Sequence, residues 1–175
     1  MPNRSVFYFP NALFALVILG VLQAPVQAQT TPSTTEMVEQ LKAKPPKTRS
    51  LRNLTIESAE PADKPSLSLL IQFDFNSAKV KPESQQALNN LAQALQSKEL
   101  ATAKFAVEGH TDGKGRAEYN LKLSQQRADA VRAFLARNGV TDARLLAVGK
   151  GSTELANTAD PQAAENRRVR VVNLN

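Results

Sequence analysis

The sequence predicts an α/β protein, a two-layer sandwich built in the order strand, helix, strand, helix, strand, strand. Three patterns predict it. Leu67, Leu69, Ile71, Phe73 and Phe75 alternate at period two, as a strand with one buried face requires. Leu88, Leu91, Ala92 and Leu95 recur at helical spacing and form one apolar stripe. Beyond a second short strand, Leu123, Val131, Phe134 and Leu135 mark the apolar face of a second helix. Each strand–helix–strand unit should cross over right-handedly.

Taken in order, Met1–Ala28 reads as a secretory signal. Arg4 supplies the positive start, Ala12 to Leu22 an unbroken apolar run, and Val26-Gln27-Ala28 a small-residue cleavage site. The run is short against the ~20 residues of a membrane span. Cleavage would leave Gln29 as the first residue, and an uncleaved inner-membrane anchor is the other reading. Residues 29–65 read as a disordered linker, with Pro32, Pro45, Pro46, Pro61 and Pro65 among Ser, Thr and mixed charges. Met37 and Leu41 share one side of a short helical pattern between Glu36 and Lys44, too short to stand alone.

Residues 66–175 read as the folded domain. Its first strand runs from Ser66 to Phe75, with the phenylalanines facing inward. Pro82 suits the first turn of a helix that reaches Ser97, because its missing N–H has no intrahelical partner there. Lys104 to Glu108 is the second strand. The second helix opens near Ser124 and ends at Asn138-Gly139, where glycine tolerates positive φ. Arg144 to Val148 and Arg168 to Leu174 are the last strands, with a surface loop from Gly149 to Gln162 between them.

Composition excludes several functions. There is no cysteine, hence no disulfide, no thiolate catalysis, no Cys-ligated zinc and no lipid-modified cysteine. The net charge of +6 is scattered, without the clustered patch and stacking aromatics of a nucleic-acid surface. An outer-membrane barrel needs at least about eight strands of roughly ten residues, for which the chain has no room. His110 is the only histidine, so neither a metal set nor an activated nucleophile is assembled around it. It reads as a structural residue at a strand end, with no cofactor and no metal. Gly113-Lys114-Gly115 and Gly149-Lys150-Gly151 lack the spacing and the Ser or Thr of a phosphate loop.

The most informative stretch is Val107 to Ala128. It holds Gly109-His110-Thr111-Asp112, Gly115, Asn120, Leu123-Ser124 and Arg127-Ala128. Phe73-Asp74-Phe75 precedes it, and Gly149-Lys150-Gly151 and Asn166-Arg167-Arg168-Val169 follow. These motifs, in this order over about residues 67 to 174, resemble the OmpA-like peptidoglycan-binding domain family. The resemblance implies a mixed four-stranded sheet with two helices on one face. It also implies a ligand pocket that includes Asp74, Thr111, Asp112, Asn120, Leu123, Arg127 and Arg167, with Leu121 on its wall. Gly113, Lys150 and Leu155 depart from the common family form, which affects the pocket rim and the last loop.

The chemistry of the central pair is specific. With Ser124 as N-cap, Arg127 falls at the third helical position, near unpaired N–H groups that favour a carboxylate. Its planar fork matches a carboxylate at two points. Asp112 offers the opposite sign, suited to an ammonium. Together they suit a zwitterion with amine and carboxylate on one carbon, such as the free end of diaminopimelate in peptidoglycan. A structural Asp112–Arg127 ion pair is the alternative, as are a strand-end turn for Asp74 and a turn role for Asn120. Strand alternation sends Arg167 and Arg168 to opposite sides; by the resemblance Arg167 is the one that faces the pocket, with Arg168 solvated. The expectation is therefore a non-enzymatic, periplasmic, wall-associated protein of the Gram-negative envelope that binds peptidoglycan. Rival readings are an assembly factor whose linker docks an envelope partner, a cell-wall hydrolase, and a stator subunit, the last opposed by the absence of Asp or Glu before Glu36.

Overall fold

The computed structural model describes residues 31–42, 48–51, 54–57 and 64–175. The expected signal lies outside these residues. The α-helices of the described residues are α1 (Thr34–Leu41), α2 (Gln85–Leu95) and α3 (Ala117–Arg137). The strands are β1 (Thr48–Leu51), β2 (Leu54–Glu57), β3 (Ser66–Leu69), β4 (Phe105–His110), β5 (Leu145–Gly151) and β6 (Val169–Asn173). β1 and β2 pair with each other antiparallel. The other four form one sheet in the order β3-β6-β4-β5. β6 runs antiparallel to both β3 and β4, whereas β4 and β5 are parallel, so the sheet is mixed as expected.

Side chains alternate across a strand, so register decides which residues meet in the core. Leu67 and Val107 both lie opposite Val171, and Leu69 lies opposite Val169. These residues and Phe105 are buried with Leu88, Leu91 and Leu95 of α2 and Val131 and Leu135 of α3 in one apolar cluster. Both long helices therefore cover the same face of the sheet.

Residues 34–41 differ from the linker expected there. Ser33 caps α1 through a reciprocal box with Glu36, which satisfies exposed N–H groups at the helix start. Met37 and Leu41 are fully buried in the core cluster. Asn90 donates to the Pro32 carbonyl at 2.9 Å, and Asn173 to the Leu41 carbonyl at 2.9 Å. The pattern is indeed too short to stand alone; docking supplies what length does not.

The first strand is also shorter than its alternation suggested. After Leu69 the chain reaches Phe73, which bridges to Val80, and then reverses. Asp74 N–H donates to the Lys79 carbonyl and Lys81 N–H to the Gln72 carbonyl, both at 2.9 Å. Asn76 takes the left-handed φ of 51° that the reversal needs. Phe75 consequently projects from the turn and is 99% exposed, contrary to the inward position expected for it.

α3 opens at Ala117, two turns earlier than expected. Nothing from Ala117 to Leu123 breaks a helix, and Glu118 in the first turn complements the positive helix end. Ser124 is thus an interior residue and not an N-cap. It is buried, donates to the Leu121 carbonyl at 2.8 Å and accepts from Gly151 N–H at 2.8 Å. Gln125 likewise bonds β5, accepting from Gly149 N–H at 2.7 Å and donating to the Ala147 carbonyl at 3.3 Å. These side chains satisfy backbone groups along an edge strand that would otherwise be open to pairing.

The glycines of the two motifs permit this contact. A Cβ on Gly109 would lie 2.2 Å from the Ser124 carbonyl oxygen, and one on Gly149 would lie 2.6 Å from Gln125 N. The motif glycines bring helix backbone onto sheet backbone, which is a packing role and needs no phosphate.

Candidate functional site

β3, β4 and β5 run in one direction and β6 in the other. The turn after β3, the loop after β4, the end of β5 and the residues before β6 therefore gather at one end of the sheet. The motif residues lie on these segments and on the half of α3 beside them.

The loop after β4 is held from several sides. Thr111 N–H donates to the Gly151 carbonyl at 2.9 Å, and Gly113 N–H to the Pro161 carbonyl at 2.7 Å. Asn120, buried in the first turn of α3, donates to the carbonyls of Asp112 at 3.4 Å and Lys114 at 3.0 Å. Asn120 is thus a clamp that shapes the loop, the turn role open from sequence. Asp112 then projects with one oxygen accepting Lys114 N–H at 3.1 Å. The other meets Arg167 Nη1 at 2.8 Å. The Thr111 side chain is buried, and its hydroxyl finds no partner among the described residues.

Arg127 is not at a helix mouth, because α3 begins well before it. Its Nε donates to the Ser77 carbonyl at 3.2 Å, and its guanidinium lies 4.8 Å from the centre of the Phe73 ring. Burial lowers its pKa from the ordinary value; Tyr119 and Asp112 pull it upward and Arg167 pushes it down through space. The helix dipole argument for Arg127 therefore falls. What replaces it is a partly desolvated guanidinium stacked on an aromatic ring, in the field of Asp112 and Arg167.

Helical spacing sets Asn120, Leu123 and Arg127 on one side of α3. Leu123 is half-buried and Leu121 exposed. Tyr119 hydrogen-bonds the Asn76 side chain, tying the turn after β3 to the start of α3. Asp74 in that turn has Lys79 Nζ at 3.7 Å. Arg168 is not solvated as expected: it donates to the Glu154 carbonyl at 3.1 Å, and burial lowers its pKa. The charged centre is thus Asp112, on a loop fixed by backbone bonds, with Arg127 from α3 and Arg167 from just before β6 at the same end of the sheet. Ser77 and Phe73, which seat Arg127, are not among the pocket residues expected from sequence; the contact forms only when the turn after β3 folds against α3.

Fold and site together define a small α/β module with a charged face at the carboxyl end of its parallel strands. The chain belongs to the OmpA family, whose pattern matches residues 72–169. It is 39% identical over 105 residues to outer membrane porin F of Pseudomonas fluorescens, covering 59% of this chain and 32% of that protein. The solved peptidoglycan-associated lipoprotein of Burkholderia pseudomallei is 37% identical with a TM-score of 0.51, covering 61% of this chain and 88% of that one. The solved cell wall anchor of the T6SS from Pseudomonas aeruginosa is 32% identical with a TM-score of 0.53, covering 62% of this chain and 80% of that one. The curated porin is thus matched over about a third of its length.

Proposed function

We propose that the domain binds peptidoglycan without covalent chemistry, gripping the free ammonium–carboxylate end of diaminopimelate in the periplasm. Arg127 takes the carboxylate and Asp112 the ammonium. Arg167 and Asp74 flank them, Leu123 and Thr111 wall the site, and Asn120 holds the loop in shape. The observation that carries this reading is the state of Arg127. It is stacked on Phe73, partly stripped of water and close enough to Asp112 for the two charges to act on each other, yet no carboxylate salt-bridges it among the described residues. A desolvated fork without a carboxylate is matched by a ligand that brings one. Membership of a family with relatives named for peptidoglycan association and wall anchoring supports the same ligand. Binding, not catalysis, is the activity proposed, with the wall-facing periplasm as its location.

The test is retention on purified sacculi of two wall types. Removing one member of a buried charge pair costs about 2–5 kcal/mol. That is roughly 30-fold to several thousand-fold in affinity. Asp112→Ala and Arg127→Ala should each lose retention on diaminopimelate-type sacculi. Arg127→Lys should fail in large part, since a point charge does not reproduce the two-point fork. A lysine-type wall lacks the second carboxylate and should be held weakly. Equal wild-type retention on both wall types would sink the zwitterion pocket.

A further inference from the structure

The face of the sheet turned away from the helices carries a charged cluster that the site above does not use. Glu108 and His110 project from β4 on the side opposite Phe105 and Val107, and Glu154 comes from the loop after β5. One nitrogen or oxygen from each of the three lies within 4.8 Å of the others. The His110 side chain is fully buried, and neither ring nitrogen has a hydrogen-bond partner among the described residues. Its Nε2 points at Glu108 Oε2 from 3.9 Å, and that oxygen too is buried without a partner. Sealed polar atoms left unpaired are costly, and an ion or water commonly accounts for them.

The surroundings already accept a cation. Lys150 Nζ lies between the two acids, 2.7 Å from Glu154 and 3.6 Å from Glu108. Arg170 stands behind them at 3.9 Å from Glu108 and 3.8 Å from Glu154. An imidazole with two carboxylates is a donor set of the zinc type, with bonds of about 2.0–2.2 Å. Closing onto an ion requires an inward shift of about 1 Å, which the half-exposed Glu154 on its loop can make. We infer that Glu108, His110 and Glu154 form a site for a divalent transition-metal cation of the zinc type, in competition with the Lys150 ammonium. Arg170 and Arg168 keep the local charge positive once the ion is in place, so affinity is moderate. Lys150, the departure from family form inside Gly149-Lys150-Gly151, is then the residue that sets metal affinity.

The test uses the full, untagged chain, whose single histidine makes the imidazole signals unambiguous. Zinc chloride is titrated while the ring resonances of His110 are followed by NMR and the thermal midpoint is recorded. Zinc should move the His110 ring resonances and raise the midpoint, whereas magnesium should do neither. Lys150→Met should tighten binding by about tenfold, and Glu154→Gln, on an exposed loop, should weaken it by about tenfold. Ring resonances unmoved by zinc in both the wild type and Lys150→Met overturn the inference, even if zinc binds elsewhere on the surface. Equal zinc affinity in Glu154→Gln and the wild type overturns it as well.

Discussion

Asp112 Oδ2 meets Arg167 Nη1 at 2.8 Å, so the acid of the central motif pairs with an arginine from the far end of the chain and not with Arg127. Arg167 is 47% exposed in its side chain, and pairs that open to solvent contribute at most about 1 kcal/mol to folding. Arg167→Gln should therefore leave the thermal transition nearly unchanged. It should weaken retention on diaminopimelate-type sacculi by about tenfold, less than Asp112→Ala or Arg127→Ala, because it orients Asp112 and leaves both proposed ligand charges matched. A parallel melting curve and sacculus titration decide this.

Gly109 is the point of closest approach between sheet and helix. Gly109→Ala places a methyl 2.2 Å from the Ser124 carbonyl, a backbone atom that cannot swing aside. Overpacking of this kind costs about 1–3 kcal/mol. The expected outcome is a thermal midpoint lowered by several degrees. An unchanged midpoint would mean that α3 shifts freely on the sheet.

α1 belongs to the folding unit. Leu41→Ala removes a fully buried side chain and should destabilise the domain by about 2–5 kcal/mol in urea unfolding. A fragment of residues 66–175 exposes the surface that Met37 and Leu41 cover and should be much less stable than one of residues 31–175. Equal stability of the two fragments would return α1 to the linker.

Arg144 closes the opposite end of the domain. Its guanidinium donates to the carbonyls of Ala103 at 2.8 Å, Leu95 at 2.9 Å and Leu100 at 2.6 Å. Arg144→Met strands these acceptors, and the expected loss is about 1–3 kcal/mol. Sacculus binding at temperatures where the variant is folded should be unaffected, since the residue lies at the far end of β5 from Asp112.

Periodicity made the sheet, α2 and the body of α3 legible, because Leu67, Leu88 and Leu135 repeat as a buried face requires. It misled where two periods overlap a turn. Phe73 and Phe75 continue the alternation of β3, yet the backbone reverses between them and Val80, and local alternation carries no sign of that reversal. Serine favours caps, which makes Ser124 an expected one, but a hydroxyl can also back-bond inside a helix, as it does to Leu121. The motif placed Asp112, Asn120, Arg127 and Arg167 near one another. Which arginine takes the acid rests on contacts distant in sequence, since Asp112 and Arg167 lie 55 residues apart. Glu154 beside His110 was invisible for the same reason.

The docking of α1 also changes how far the domain can stray. The chain is fastened to the body at Pro32 and Leu41 and again from Ser66, so residues inserted between Lys42 and Lys64 would lengthen no tether to whatever precedes Pro32. Insertions on the two sides of α1 are therefore not equivalent: those ahead of Pro32 add chain outside the body, and those between Lys42 and Lys64 do not.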